Sequence, residues 1–363
     1  MKISKKITLL ALASSALIPM LAACSSEVKE SNVSEDDTLE TIIEKAKEEG
    51  EIASLGMPDT WANWVDTWND LNEKYELKHT DTDMSSAEEL AKFESEGVKG
   101  TADIGDVGIS FGPLAASKDL TLPYKTSYWE EIPEWAKDQD GHWLLSYTGT
   151  IAFLTDKNNV KEAPKSWADL AKGDYQVAVG DVTKANQAQF AVLAAAIAQG
   201  GDEADIQPGL EYFQELAQNG RLSSVDASVA NLEKGEIDVT VVWDFNGLNY
   251  RDQINAERFE VTIPTDGSVI SGYTTIINKN APHPNAAKLA REYILSDEGQ
   301  INLAKGYARP IRENVELPQE IADKLLPASA YTSAQPVKNN DTWDETAMSL
   351  PELWQKEVLS HAK

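Results

Sequence analysis

The chain of 363 residues holds a single cysteine, Cys24, so no disulfide framework can brace it. Its four histidines, His79, His142, His283 and His361, are scattered, with no pair at i,i+4 and no recurring metal-ligand spacing. Basic side chains are few: 32 Lys and Arg stand against 60 Asp and Glu, for a formal charge of -28. That balance excludes general nucleic-acid binding. The longest apolar stretch, residues 7–21, is short for a spanning helix. His-Glu-x-x-His and P-loop patterns are absent, as are repeats and heptads.

What the chain does have begins with a basic start, Lys2, Lys5 and Lys6, ahead of that apolar stretch, which only Ser14 and Ser15 interrupt. Leu21-Ala22-Ala23-Cys24 closes it, so residues 1–23 read as a signal sequence rather than an anchor. The Leu-Ala-Ala-Cys end resembles the bacterial lipobox, which implies that Cys24 becomes the lipidated first residue. Stable anchoring takes more than one acyl chain, and multiple acylation is what the resemblance implies. Residues 24–37 are polar and acidic without an apolar period, a flexible tether. The remainder is long enough for two domains.

From residue 37 strands and helices alternate. Asp37 and Glu40 form a candidate capping box. A strand at 52–57 and a turn at 58–60 lead into a helix bearing Trp61, Trp64, Val65, Trp68 and Leu71. Strand, tight turn and helix put Trp61 beside a crevice, as a cleft wall or as core. Trp64 and Trp68 read as core. A strand at 101–109 carries Asp106 between Gly105 and Gly108. Glycines let the backbone approach a bound molecule, so Asp106 is a ligand candidate, or else it holds the loop's own amides. The run 144–154 is the expected first crossing into a second lobe, near Gly149. After a strand at 175–179, residues 180–186 open a long apolar helix whose free amides can attract an anion or a polar oxygen. There Thr183 and Asn186 are either ligand contacts or an ordinary cap. A strand at 237–242 ends on Trp243-Asp244-Phe245-Asn246-Gly247. A flat apolar face beside a charge suits an aliphatic ammonium, which makes Trp243 and Asp244 the leading site pair, with Asn246 next to them. Tyr250, expected at the start of the following helix, can add a hydroxyl.

Residues 258–300 organise the rest. Phe259, Val261 and Ile263 alternate as a half-buried strand, and Thr265-Asp266-Gly267 is a turn. Residues 269–278 form a second extended run with Tyr273 at its centre, a further site candidate. Pro282 and Pro284 stop it, Asn285 is the expected helix cap, and Ala286, Leu289, Ala290, Tyr293 and Ile294 repeat with helical period up to Gly299. Arg309 is either an anion contact or a bridge at the hinge. The tail, residues 317–363, is expected to wrap the first lobe.

"IINKNAPHPNAAKLAREYILSDEGQ" followed by "GYARPIR" resembles the return segment of extracellular solute-binding proteins that serve ABC importers. "TADIGDVGISFGPL", "NNVKEAPKSWADLAKGDY" and "EKGEIDVTVVWDFNG" fit the same family, in the branch of ferric-ion, polyamine and phosphonate or sugar-phosphate binders. The resemblance implies an α/β, two-lobed periplasmic-binding-protein-like fold of type II, with mixed sheets flanked by helices and a ligand cleft between the lobes. It implies lobe 1 at 38–148 plus 265–363 and lobe 2 at 149–264. It also implies a monomeric, lipid-anchored protein at the extracellular face of the membrane, with a small-molecule ligand, permease subunits as partners and no cofactor. In ferric-binding relatives a Tyr-Tyr pair supplies phenolates near position 250, where this chain has Asn249-Tyr250. Phosphate-ester binders of the family carry a loop rich in Pro, Ser, Thr and Gly where this chain has Asp181 and Lys184. An amine-bearing solute is therefore expected ahead of iron or sugar phosphate, with Asp106 and Asp244 as its carboxylates. The rival class is a secreted enzyme that uses the same two carboxylates as acid and base, as a glycosidase would.

The leader predicts that residue 24 is the mature N-terminus in the native cell and carries acyl chains. Mass spectrometry of the membrane-extracted protein checks this; an unmodified Cys24 or a different start contradicts it.

Overall fold

The computed structural model describes residues 38–362; the leader, Cys24, the tether and Asp37 lie outside the described residues. The first helix, Leu39–Glu49, is capped by the Thr38 hydroxyl, which accepts from the Thr41 amide, and Gly50 ends it at φ 72°. The cap thus sits one residue after the expected box.

Eleven strands come after it in order: β1 (Glu51–Leu55), β2 (Lys78–Thr82), β3 (Ile104–Gly108), β4 (Trp143–Asp156), β5 (Val177–Ala178), β6 (Leu222–Ser223), β7 (Val239–Trp243), β8 (Phe259–Thr262), β9 (Ser268–Ile277), β10 (Arg309–Pro310) and β11 (Ala334–Pro336). The main path of pairing runs β2-β1-β3-β9-β4-β7-β5-β6. β1 lies parallel to β2 and β3, and β5 lies parallel to β6 and β7. These two parallel sheets, one per lobe, are joined through the antiparallel pair β4 and β9. All fourteen residues of β4 are buried, as befits a strand covered on both faces. β4 pairs with β9 as far as Thr150 and with β7 from Ile151 onward. The crossing anticipated near Gly149 is where the strand changes partners.

The return passage departs from its sequence reading in two details. Helix Pro284–Leu295 is preceded by His283, and Pro284 occupies a first-turn position, where a missing amide costs least. Asn285 instead donates its side-chain amide to Glu49 Oε1 at 2.7 Å. The helix ends at Ser296, whose hydroxyl caps a second helix, Asp297–Lys305, so Gly299 lies in a first turn and not near a helix end. Arg291, buried, pins the return helix to β9 by donating to the Thr275 carbonyl at 2.7 Å and the Gly141 carbonyl at 3.1 Å.

The closing helix, Asn340–Glu357, lies on the second lobe, where the sequence reading wrapped the tail round the first. Its buried face, Trp343, Ala347, Leu350 and Trp354, meets aromatic partners there. Trp343 packs 5.0 Å from Phe190, and Trp354 packs 5.4 Å from Phe213 (ring centroids). Thr346 adds a hydrogen bond of 2.6 Å to the Glu203 carbonyl. The helix periodicity of the tail was readable; its partner depended on a face contributed by residues 190–213. Trp343→Ala should cost roughly 3–5 kcal/mol of stability; an unfolding midpoint in denaturant equal to the parent's would contradict this packing.

Candidate ligand site

β1 and β3 end side by side at the seam between the lobes, and the loop after each strand is shaped for close approach. After β1 the chain turns through Trp61, then places Ala62 and Asn63 in succession in the left-handed region, at φ 48° and 59°. Such backbone needs outside support. The Asn63 amide group donates to the Asn302 carbonyl at 2.9 Å, and Gly306 lies so close that a Cβ there would fall 2.4 Å from the Ala62 carbonyl carbon. Trp61 is thereby held one turn ahead of helix Trp64–Tyr75, outside the helix that the sequence placed it in.

At the centre stands Asp106, on β3 and only 2% exposed. Its Oδ2 accepts from the Tyr147 hydroxyl at 2.6 Å, and the Tyr147 oxygen in turn accepts from the Trp61 indole N–H at 2.7 Å. Oδ1 is buried with no partner. The Trp64 indole N–H is turned towards the same carboxyl without reaching hydrogen-bond geometry. Burial pushes the Asp106 carboxyl well above the usual carboxylate range, outweighing the Tyr147 hydroxyl and Trp64 indole that favour its ionised form; Asp81 adds to the rise, and no cationic side chain offsets it. Burial and the neighbouring Asp106 carboxyl likewise hold the Tyr147 phenol protonated.

Aromatic rings enclose this carboxyl. An irregularity in β4 between Leu145 and Tyr147 sets Tyr147 directly opposite Tyr273 on β9, so the two phenols stack at 5.8 Å with planes 11° apart. Trp61 meets Tyr273 and Phe245 edge-on at 5.3 and 5.4 Å. Phe245 closes on Tyr147 at 5.7 Å. From the second lobe, Trp243 brings a fully buried indole whose N–H is turned towards the Tyr273 hydroxyl without reaching hydrogen-bond geometry. Asn186 opens helix Asn186–Ala198 with both amide atoms buried and unpartnered. It presses on Gly108, where any Cβ would fall 2.1 Å from its side-chain carbon, so only glycine fits. Most buried polar atoms in proteins are paired. Here Asp106, Trp64, Trp243 and Asn186 leave theirs free around one seam. Glu89, with both oxygens unpaired, lies over Gly56 and Gly105 on the other side of β3 from Asp106.

The structure brings Trp61, Asp106, Asn186, Trp243 and Tyr273 together and takes the other candidates elsewhere. Asp244 Oδ1 accepts from the Thr150 amide at 2.8 Å, and Oδ2 accepts from the Tyr331 hydroxyl at 2.6 Å. Arg309 stacks 4.0 Å over the Tyr331 ring and donates to the Leu326 carbonyl at 2.9 Å; its Nε is 3.9 Å from Asp244. These groups tie the second lobe to the tail at the crossing strand. Asn246 donates to Gln187 Oε1 at 2.9 Å, which also accepts from the Trp243 amide at 2.8 Å. Thr183 closes on Asp181 Oδ1 at 2.6 Å. Tyr250 lies well inside helix Asp244–Ile254, not at its start, and donates towards the Ala227 carbonyl at 3.4 Å. Sequence reasoning missed Tyr147 and Phe245. The first is one residue in a long strand, between Ser146 and Thr148, and only the β4 irregularity singles it out. Among the described residues no group of three or more His, Cys, Asp and Glu side chains could hold a metal ion, and no helix is long and apolar enough to cross a membrane.

Residues 99–334 match the family of bacterial extracellular solute-binding proteins. The chain belongs to that family. Among relatives of this solute-binding protein, a probable ABC transporter periplasmic-binding protein of Sinorhizobium fredii is 24% identical over 251 residues, 67% of this chain and 68% of that protein. The fold is similar to that of the periplasmic binding protein AfuA of Actinobacillus pleuropneumoniae, solved with fructose-6-phosphate, at TM-score 0.72 and 18% identity over 85% of this chain and 98% of that one. It is also similar to the ferric binding protein of Campylobacter jejuni, at TM-score 0.65 and 20% identity over 84% and 98% of the two chains. Two lobes with a seam between them are thus the family's transport architecture, and such solute-binding proteins carry small ligands to membrane permeases.

Asp106 generates a pH signature. Its carboxyl is raised in the folded protein, so the folded chain holds a proton there that the unfolded chain gives up. Its contribution to stability is complete below the ordinary carboxylate pKa of 3.8 and is lost as pH rises through the folded value. Asp106→Asn, which keeps an acceptor for Tyr147, should therefore match the parent's ligand-free melting temperature in acid and exceed it above neutrality. A variant that melts at or below the parent above neutrality would contradict the assignment.

Proposed function

We propose that this solute-binding protein captures an amine-bearing solute for its ABC importer, with Asp106 taking the ammonium end. The observation that carries the reading is the free, desolvated oxygen of Asp106, with aromatic rings around the carboxyl and no cationic side chain acting on it. A buried carboxylate without a partner costs several kcal/mol, and a ligand ammonium supplies that partner while resting on aromatic faces. The second lobe offers neutral groups only: the Trp243 indole N–H and the Asn186 amide at a helix start. Those suit an oxygen-bearing end, favoured there by the helix N-terminus. Aminoalkyl acids and aminoalkylphosphonates fit both ends, and a polyamine fits the first. Tyr147 and Tyr273 are held as neutral phenols, which favours this reading over phenolate ligation of iron. On the same reading, the leader and Cys24 make the protein a monomeric lipoprotein at the outer face of the cell membrane.

A thermal-shift panel of polyamines, amino acids, aminoalkylphosphonates, hexose phosphates and ferric citrate tests the class. An amine should raise the melting temperature, and Asp106→Asn should weaken that amine about thirtyfold or more, since breaking a buried charged pair costs about 2–5 kcal/mol. A hexose phosphate or ferric citrate as the sole hit, bound equally by parent and Asp106→Asn, would overturn it.

A further inference from the structure

A cavity of about 330 Å³ opens between helices of the two lobes. That volume lies within the range of small-molecule sites, which are mostly apolar with a few placed polar groups. One wall is the first-lobe helix Phe111–Ser117, contributing Phe111, Pro113 and Leu114; the opposite wall is the closing helix, contributing Asp344, Ala347 and Met348. Three features of the lining share one chemical preference. Ser110 lines the cavity with a buried hydroxyl that has no partner. Pro351 lies inside the closing helix and has no amide hydrogen to give the Ala347 carbonyl four residues back, so that carbonyl lacks its helix donor. Asp344, three residues before Ala347 and on the same helix face, contributes the only carboxylate of the lining. No lysine or arginine lines the cavity.

We propose that this cavity is a second ligand site, for a small primary amine with an apolar body, distinct from the Asp106 site and independent of what binds there. The ammonium has three N–H donors, and Asp344, the Ala347 carbonyl and the Ser110 hydroxyl supply three acceptors. The hydrocarbon body lies between Phe111, Leu114 and Met348. Burial, with Asp341 adding repulsion, pushes the Asp344 carboxyl up to about 7, and a bound ammonium would favour its ionised form.

Titration calorimetry of the intact protein with 2-phenylethylammonium, and with phenylacetate as the matched anion, tests the site. Saturable binding of the amine and none of phenylacetate is expected. Asp344→Asn should weaken the amine at least tenfold, Ala87→Trp, which fills the cavity from a half-buried position of its lining, should remove binding, and Asp106→Asn should leave it unchanged. Melting curves establish that each variant is folded. No saturable binding to the parent, binding that survives both Asp344→Asn and Ala87→Trp, or binding that Asp106→Asn abolishes would each overturn the proposal. The last of these would leave the Asp106 reading standing.

Discussion

The antiparallel pairing of β4 with β9 is the constraint on which everything else rests. Both strands are buried almost throughout, and each has a sheet of one lobe hydrogen-bonded along its outer edge: β3 on β9, β7 and β8 on β4. The pair therefore fixes where the lobes meet. It also fixes what stands at the meeting point, because the irregularity between Leu145 and Tyr147 aligns the two tyrosines. Without it a one-residue shift would turn Tyr147 to the opposite face, and Asp106 would lose its one hydrogen-bond donor.

Two buried aspartates at the seam show how partners decide between structure and ligand. Burial raises the pKa of both, and it is the largest influence on each. Asp244 is nevertheless satisfied inside the fold: an amide, a phenol and a nearby guanidinium all favour its charge. Asp106 has one phenol, an indole out of reach and a free oxygen. Leaving a buried polar atom unpaired costs about 1–3 kcal/mol, more when it is charged. A fold that bears this cost beside a ring of aromatic faces is poised for a partner that arrives from outside. On the function proposed above, the same comparison leaves Asp106 alone, rather than the Asp106–Asp244 pair suggested by the sequence, as the counter-charge for an amine.

Much of the architecture was legible in the chain because it depends on local pattern. The run 144–154 declared a buried crossing strand, and residues 258–300 declared strand, turn, strand and helix in the order observed. The glycines flanking Asp106 suggested close approach of a bound molecule; in the structure Gly108 makes its close approach to the chain's own Asn186. What escaped the reading depends on contacts distant in sequence. Asp244 looks free until Tyr331, eighty-seven residues on, is found bonded to it. Tyr147 looks like one more residue of the crossing strand until its partner across the sheet is known. The closing helix shows its apolar stripe but not that Phe190 and Phe213 face it.

Burial raises the Asp106 carboxyl in the empty site, and a bound ammonium would draw it back towards its ionised form. Calorimetric titration of the panel's best amine at neutral pH, repeated in buffers of different ionisation enthalpy, counts the protons exchanged on binding. Release of up to one proton per ligand by the parent and none by Asp106→Asn is expected. Binding with no release, with proton uptake, or with the same release in Asp106→Asn would contradict it.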